Sequence, residues 1–263
     1  MKKPRPKKKS RKKKKFPEFN KVVGIVQDND NRQIQIFTKD MLINQIKRDS
    51  KKIEKSFDKL CGSDIEKISE FFSQAQFLIV NAFRVSVDKE DDRRLTCSKL
   101  LLNASNSLVA SIELLRKGFV LQPGMIIRNI LETICTVCYI ILEDDGHEKF
   151  ISGKLDSTYT VKYGKKVIEP IGRMNGLLSN QFVHMSDLRN DINPLVEYKE
   201  KTEQLTINIG FIKSATWLIY VASELVFYNV LDDHLYWNKI SEYGYEYNPS
   251  EETKKWMEEF FGI

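Results

Sequence analysis

The sequence predicts an all-α protein, a multi-helix bundle. Three observations predict it. Apolar residues recur every three to four positions through residues 65–79, 100–142 and 205–236, which gathers them on one face of a helix. Glycine and proline punctuate the spaces between those runs, at Gly118, Pro123 and Pro194, where helices stop and restart. Strands do not alternate with helices along the chain, so no βαβ unit is indicated.

Taken in order, residues 1–15 read MKKPRPKKKSRKKKK. They have almost nothing to bury and repel one another, so the expectation is a disordered basic arm. Residues 20–37 show strand-like alternation in RQIQIF and an Asp-Asn turn cluster, the pattern of a small hairpin. Thr38 and Asp40 are placed to cap a helix over about 41–60. Ser63 and Glu66 form an S-x-x-E capping box that would start a second helix running to about 85. Residues 88–94 are charged and read as a linker. The run at 100–142 splits into two helices, the first ended by Gly118 and the second started by Pro123, whose missing N–H is harmless in a first turn. That second helix is almost wholly apolar, which predicts burial on most sides. Its Arg128 and Glu132, four apart on one face, are then expected inside the fold or lining a cleft.

Residues 143–166 are polar and interrupted by Gly146, Gly153 and Gly164, so they read as mostly loop. A helix is expected again over about 168–190, a turn at Asn193-Pro194, and a long helix over 205–236. Residues 237–248 read as irregular, and Ser250 as the cap of a short last helix. The resulting division is an arm at 1–15, a hairpin and helix extension at 16–60, a helical core at 61–236 and a tail at 237–263.

Charge is unevenly distributed. Of the 42 Lys and Arg residues, 11 lie in residues 1–15 with no acid among them: Lys2, Lys3, Arg5, Lys7, Lys8, Lys9, Arg11, Lys12, Lys13, Lys14 and Lys15. The other 31 are set against 36 Asp and Glu, so the net charge of +6 conceals a mildly acidic body. Such an arm suits the phosphates of RNA or DNA, whose counterions it displaces. An anionic membrane surface and a solvated arm without a partner are the other readings; lipid attraction is weak without an apolar face or anchor. The four cysteines, with no secretory signal, point to a reducing compartment and a cytoplasmic location. Cys135 and Cys138 form a lone C-x2-C inside an apolar helix; a zinc site needs two further ligands, so they read as buried apolar side chains. The expectation is no metal, no cofactor and no membrane span, since spanning needs about 20 largely apolar residues and Lys213 and Glu224 interrupt the longest run.

No phosphate loop, GxGxxG, HExxH or GxSxG element occurs. Of the three histidines, His147 lies in an acidic loop and His234 follows two aspartates at a helix end, where the helix dipole favours a cation. His184, in LLSNQFVHMS, has Asn180 one turn before it on the same face. LRKGFVLQPGMIIRNILET followed downstream by LSNQFVHMS resembles a family of uncharacterised bacterial all-helical proteins, across roughly residues 65–235. In that family an R-x-x-x-E helix, here Arg128 and Glu132, precedes an L-S-x-x-V-H element, here Leu178, Ser179, Val183 and His184. More distantly, the Asn180-x3-His184 window resembles the R-N-x-x-x-H motif of the HEPN superfamily, helical and often dimeric proteins that include many RNases. Ser179 stands where that motif has arginine.

The resemblance implies a HEPN-like bundle and a homodimer. It also implies a setting in phage defence, stress response or toxin–antitoxin systems. Its catalytic set would be His184, Asn180 and Arg128: His moves protons in metal-independent RNA cleavage and Arg stabilises phosphate charge. The competing structural reading joins Arg128, Glu132 and His184 in one polar network between helices. Three functions follow: a binding or effector protein whose arm touches nucleic acid, a metal-independent RNase using His184, and an interaction protein whose arm holds an acidic partner.

Overall fold

The computed structural model of the chain describes residues 18–28, 33–183, 195–241 and 244–261. The chain forms two compact units, Met1–Lys51 and Lys52–Ile263. The basic residues from Lys2 to Lys15 and the histidine His184 lie outside the described residues.

In the first unit, β1 (Val22–Asp28) pairs antiparallel with β2 (Gln33–Thr38), the hairpin that the alternation predicts. The register places Ile25 opposite Ile36 and Gln27 opposite Ile34, with a bulge between Val22 and Gly24. A short helix α1 (Met41–Asn44) then leads through a π turn (Gln45–Asp49).

The second unit is helical. α2 (Ser50–Asp88) is one helix where the sequence suggests two. The capping box at Ser63 is overridden because Phe57, Cys61, Ile68, Phe71, Ala75, Ile79 and Ala82 keep a single buried stripe running through Gly62. The residues read as a charged linker contain a turn and then the first turn of α3 (Asp92–Arg116). There the Asp91 carboxylate accepts from the Arg94 N–H at 2.9 Å.

α3 ends as its sequence predicts. Gly118 has φ 93°, and the Gly118 and Phe119 N–H groups return to the Leu115 and Leu114 carbonyls at 2.9 and 3.0 Å. α4 (Gln122–Leu142) follows, with Pro123 in its first turn.

Residues 143–166 correct a second expectation. They form α5 (Gly146–Ile151) and most of α6 (Ser157–Val167), the latter capped by Asp156, which accepts from Thr158 at 2.7 Å and Tyr159 at 3.2 Å. Gly164 is no breaker. A Cβ there would collide with Cys135, so glycine lets α6 lie close on α4. α7 (Pro170–Leu178) passes into a second π turn, Ser179–Val183.

α8 (Glu203–Phe227), capped by Thr202, packs on both α3 and α4, and these three helices carry most of the core. The tail also departs from its irregular reading, because Trp237–Lys239 (β3) and Tyr245–Tyr247 (β4) pair antiparallel. Trp237 and Tyr236 are buried there against α8, and that burial fixes the strand pair. The last helix, α9 (Glu251–Phe261), starts where Ser250 caps the Thr253 N–H at 3.1 Å. The fold is mainly α, with two small two-stranded sheets among the described residues.

Candidate functional site

Arg128 and Glu132 make the i,i+4 ion pair their spacing suggests, at 3.4 Å. Their side chains are 35% and 28% exposed, so the pair lies at the edge of the fold and is not enclosed by it. Asn129 and Thr136 extend the pair into a polar stripe on α4, with Met125 exposed beside it, and this side of the helix is the least covered. Ser179 is half-buried and Asn180 exposed. The π turn that carries them places Phe182 in the core, edge-on to Phe211 at 5.7 Å and against Gly124, where a Cβ would overlap the ring. The Ser179–Val183 turn is therefore anchored through Phe182 beside the first turn of α4, one turn before Arg128. A groove of about 720 Å³ lies elsewhere, with Tyr163, Lys166, Tyr245, Tyr247 and Lys254 in its lining.

Most remaining internal polar groups hold helices together. The two charges that interrupt the apolar run of α8 both find partners. Lys213, 9% exposed, sits 3.2 Å from Asp64 on α2, and Lys201 reaches the other carboxylate oxygen of Asp64 at 2.7 Å. Burial pushes the Asp64 carboxyl up, but the two ammonium groups outweigh it and hold the acid below its usual range. Glu224 is fully buried. Its Oε1 accepts three backbone N–H groups, from Leu235 at 3.0 Å, Tyr236 at 2.9 Å and Trp237 at 3.2 Å. Burial raises the Glu224 carboxyl, while those N–H groups and His234 pull it back. One buried carboxylate thus anchors the β3 segment to α8.

Arg93 and Arg94, at the start of α3, cap two other helices. Arg93 donates to the carbonyls of Ile140, at 2.6 Å, and Glu143 at the end of α4. Arg94 donates to Val226 at the end of α8 at 3.0 Å and pairs with Asp91 at 2.7 Å. Cations at helix C-termini are favoured by the exposed carbonyls and the helix dipole. Neither arginine was expected here from the sequence, although a basic pair in a charged stretch between helices is a signal of that kind.

The two described histidines, His147 and His234, also take structural positions. His147 Nε2 lies 3.1 Å from the Thr96 hydroxyl. His234 stacks on Tyr228 at 3.6 Å and donates to the Tyr228 carbonyl at 2.7 Å, at the end of α8 where the dipole reading places it. All four cysteines are free and buried, and burial pushes the Cys61 thiol up to about 11 and that of Cys135 up to about 12. Such thiols stay protonated and unreactive. Among the described residues no three His, Cys, Asp or Glu side chains converge as metal ligands. α4 and the stretch Glu203–Val230 are long and apolar enough to cross a membrane, by length and composition. No family profile, curated protein or solved structure matches the chain.

Proposed function

We propose that this protein is a nucleic-acid-binding protein in which a helical body, of the HEPN-like kind its motifs resemble, carries a basic arm that engages phosphate. The supporting observation is the segregation of charge: 11 basic residues and no acid in residues 1–15, against a net acidic remainder. A segment of that composition binds RNA and DNA without sequence preference, through counterion release. α4 and α8 are taken as the core helices of this body, a reading supported by their dense packing against α3. Binding is favoured over cleavage by one observation: Ser179 stands where the resembled motif has arginine. In a mobility-shift assay with duplex RNA and DNA, deleting residues 2–15 removes most of the affinity and leaves the helical circular dichroism spectrum unchanged. Undiminished shifts by the truncated chain would refute the proposal.

A further inference from the structure

The two outer edges of the β3–β4 pair are treated differently. The Ile240 N–H reaches the Gly244 carbonyl and the Asn248 N–H reaches the Tyr236 carbonyl, both at 2.9 Å, at the two ends of the ladder. Bonded and unbonded pairs alternate along an antiparallel ladder. Asn238 and Glu246 are therefore its bonded pair, and the main-chain groups of Trp237, Lys239, Tyr245 and Tyr247 point outward. On the β3 edge both outward N–H groups are taken: Trp237 donates to Glu224 at 3.2 Å and Lys239 to the Tyr228 hydroxyl at 3.1 Å. On the β4 edge the outward N–H and C=O groups of Tyr245 and Tyr247 have no hydrogen-bond partner among the described residues of their unit. That open edge lies in the groove of about 720 Å³. Tyr245, Glu246 and Tyr247 all line it. Successive strand side chains point to opposite faces, so three in a row share a groove only where it runs along the strand edge. The end of α6 and the start of α7, from Tyr163 to Pro170, contribute the other wall.

We infer that this groove is a peptide-binding site, in which an extended segment of another protein adds to β4 as a third strand. Two N–H and two C=O groups on one edge fit an extended main chain, whose own groups are free to pair with them. The volume is that of a ligand cleft, roughly 300–1,000 Å³. The α6–α7 wall stands where a third strand would run and leaves no room for a whole second sheet, which disfavours edge-to-edge pairing of two copies. The charges in the lining balance. Lys254 sits 2.6 Å from Glu251, and Glu169 3.5 Å from Arg173, which leaves Lys166 and Glu246 for a ligand. Such a lining offers no cationic track to a run of phosphates. It suits a peptide that carries one acid and one base. The inference does not rest on the nucleic-acid reading.

A displayed library of random heptapeptides, selected on the full chain, tests the inference. The expected ligands carry an acid and a base, and they bind as free synthetic peptides. Methylating the nitrogen of every second residue gives two versions of a ligand. The version that blocks the N–H groups facing β4 should bind at least about tenfold more weakly, the loss of roughly one net hydrogen bond, while the other binds as before. Amide exchange at Tyr245 and Tyr247 should slow by at least about tenfold when the ligand is added. Lys166→Glu alters an exposed side chain and should weaken the ligands measurably without changing the melting curve. A library that yields no ligand, equal effects of the two methylated versions, or unchanged exchange at Tyr245 and Tyr247 would overturn the inference. Displacement of the ligand by a single-stranded oligonucleotide would give the groove to nucleic acid and overturn it as well. Protection of these two amides in the free chain would mean that the chain itself or a second copy fills the edge, which would also overturn it.

Discussion

Replacing Glu224 with alanine tests how the second unit holds its C-terminal strands. The Oε1 atom of Glu224 satisfies the N–H groups of Leu235, Tyr236 and Trp237 in a fully buried setting. Removing it leaves up to three buried donors without an acceptor, each costing about 1–3 kcal/mol. These losses do not add fully, because the three donors share one acceptor and relax together. Removal also relieves the burial of a carboxylate whose Oε2 has no partner. The balance predicts a loss of about 3–5 kcal/mol for Glu224→Ala. Glu224→Gln keeps an acceptor oxygen and should lose only about 1–2 kcal/mol, the difference between charged and neutral acceptors. Urea midpoints followed by tryptophan fluorescence measure both, since Trp237 belongs to the anchored segment. Amide exchange at Tyr236 and Trp237 locates the loss. An alanine variant within about 0.5 kcal/mol of the parent would refute the reasoning.

The other predictions concern the remaining charges. Asp64→Asn strands the buried Lys213 without its counter-charge and should destabilise by about 3 kcal/mol, read from the urea midpoint; no shift would mean that Lys213 is hydrated. Glu132→Ala should lose less than about 1 kcal/mol, because its pair with Arg128 is about a third exposed; a loss above 2 kcal/mol would place the pair in the interior. Stability should respond to pH in two opposed ways. The folded chain keeps the Glu224 proton at pH values where the unfolded chain has released it, so stability declines as pH rises from the usual carboxylate range through the raised Glu224 titration. Asp64 titrates low in the fold, so its contribution is present above the unfolded carboxylate range and is lost as pH falls through the folded titration. Midpoints measured across that range should show the first slope flattened in Glu224→Gln and the second flattened in Asp64→Asn; unaltered slopes would contradict both assignments.

Local signals were legible in the sequence and non-local ones were not. The α3–α4 hairpin could be read because Gly118 and Pro123 act on their own neighbours. The β1–β2 ribbon and the Ser250 cap were legible for the same reason. The break expected at Ser63 failed because a capping box is a local preference, and the stripe from Phe57 to Ala82 outweighs it once the helix packs. Gly164 reads as a breaker in sequence and acts as a contact in the fold, since only the approach of Cys135 explains it. Lys213 and Glu224 stood out as charges in an apolar run, but the partners that account for them come from α2 and from backbone in the tail. Arg93 and Arg94 looked like solvated linker charges because the carbonyls they cap lie 47 and 132 residues away. In the candidate site, the Arg128–Glu132 pair followed from its spacing. Its exposure did not, because an apolar average over α4 hides the polar stripe on one side.

Residues 1–15 are proposed to give this chain its affinity for nucleic acid. The salt dependence of binding tests that claim most directly, measured by fluorescence anisotropy on a labelled duplex with the full chain and with residues 2–15 deleted. Each phosphate neutralised contributes about −0.9 to the slope of log K against log salt on B-DNA. A steep slope is expected for the full chain, with six to ten contacts lowering affinity about 10³–10⁵-fold between about 50 and 200 mM salt. Weak and nearly salt-independent binding is expected for the truncated chain. Equal slopes and equal affinities for the two chains would contradict the proposal.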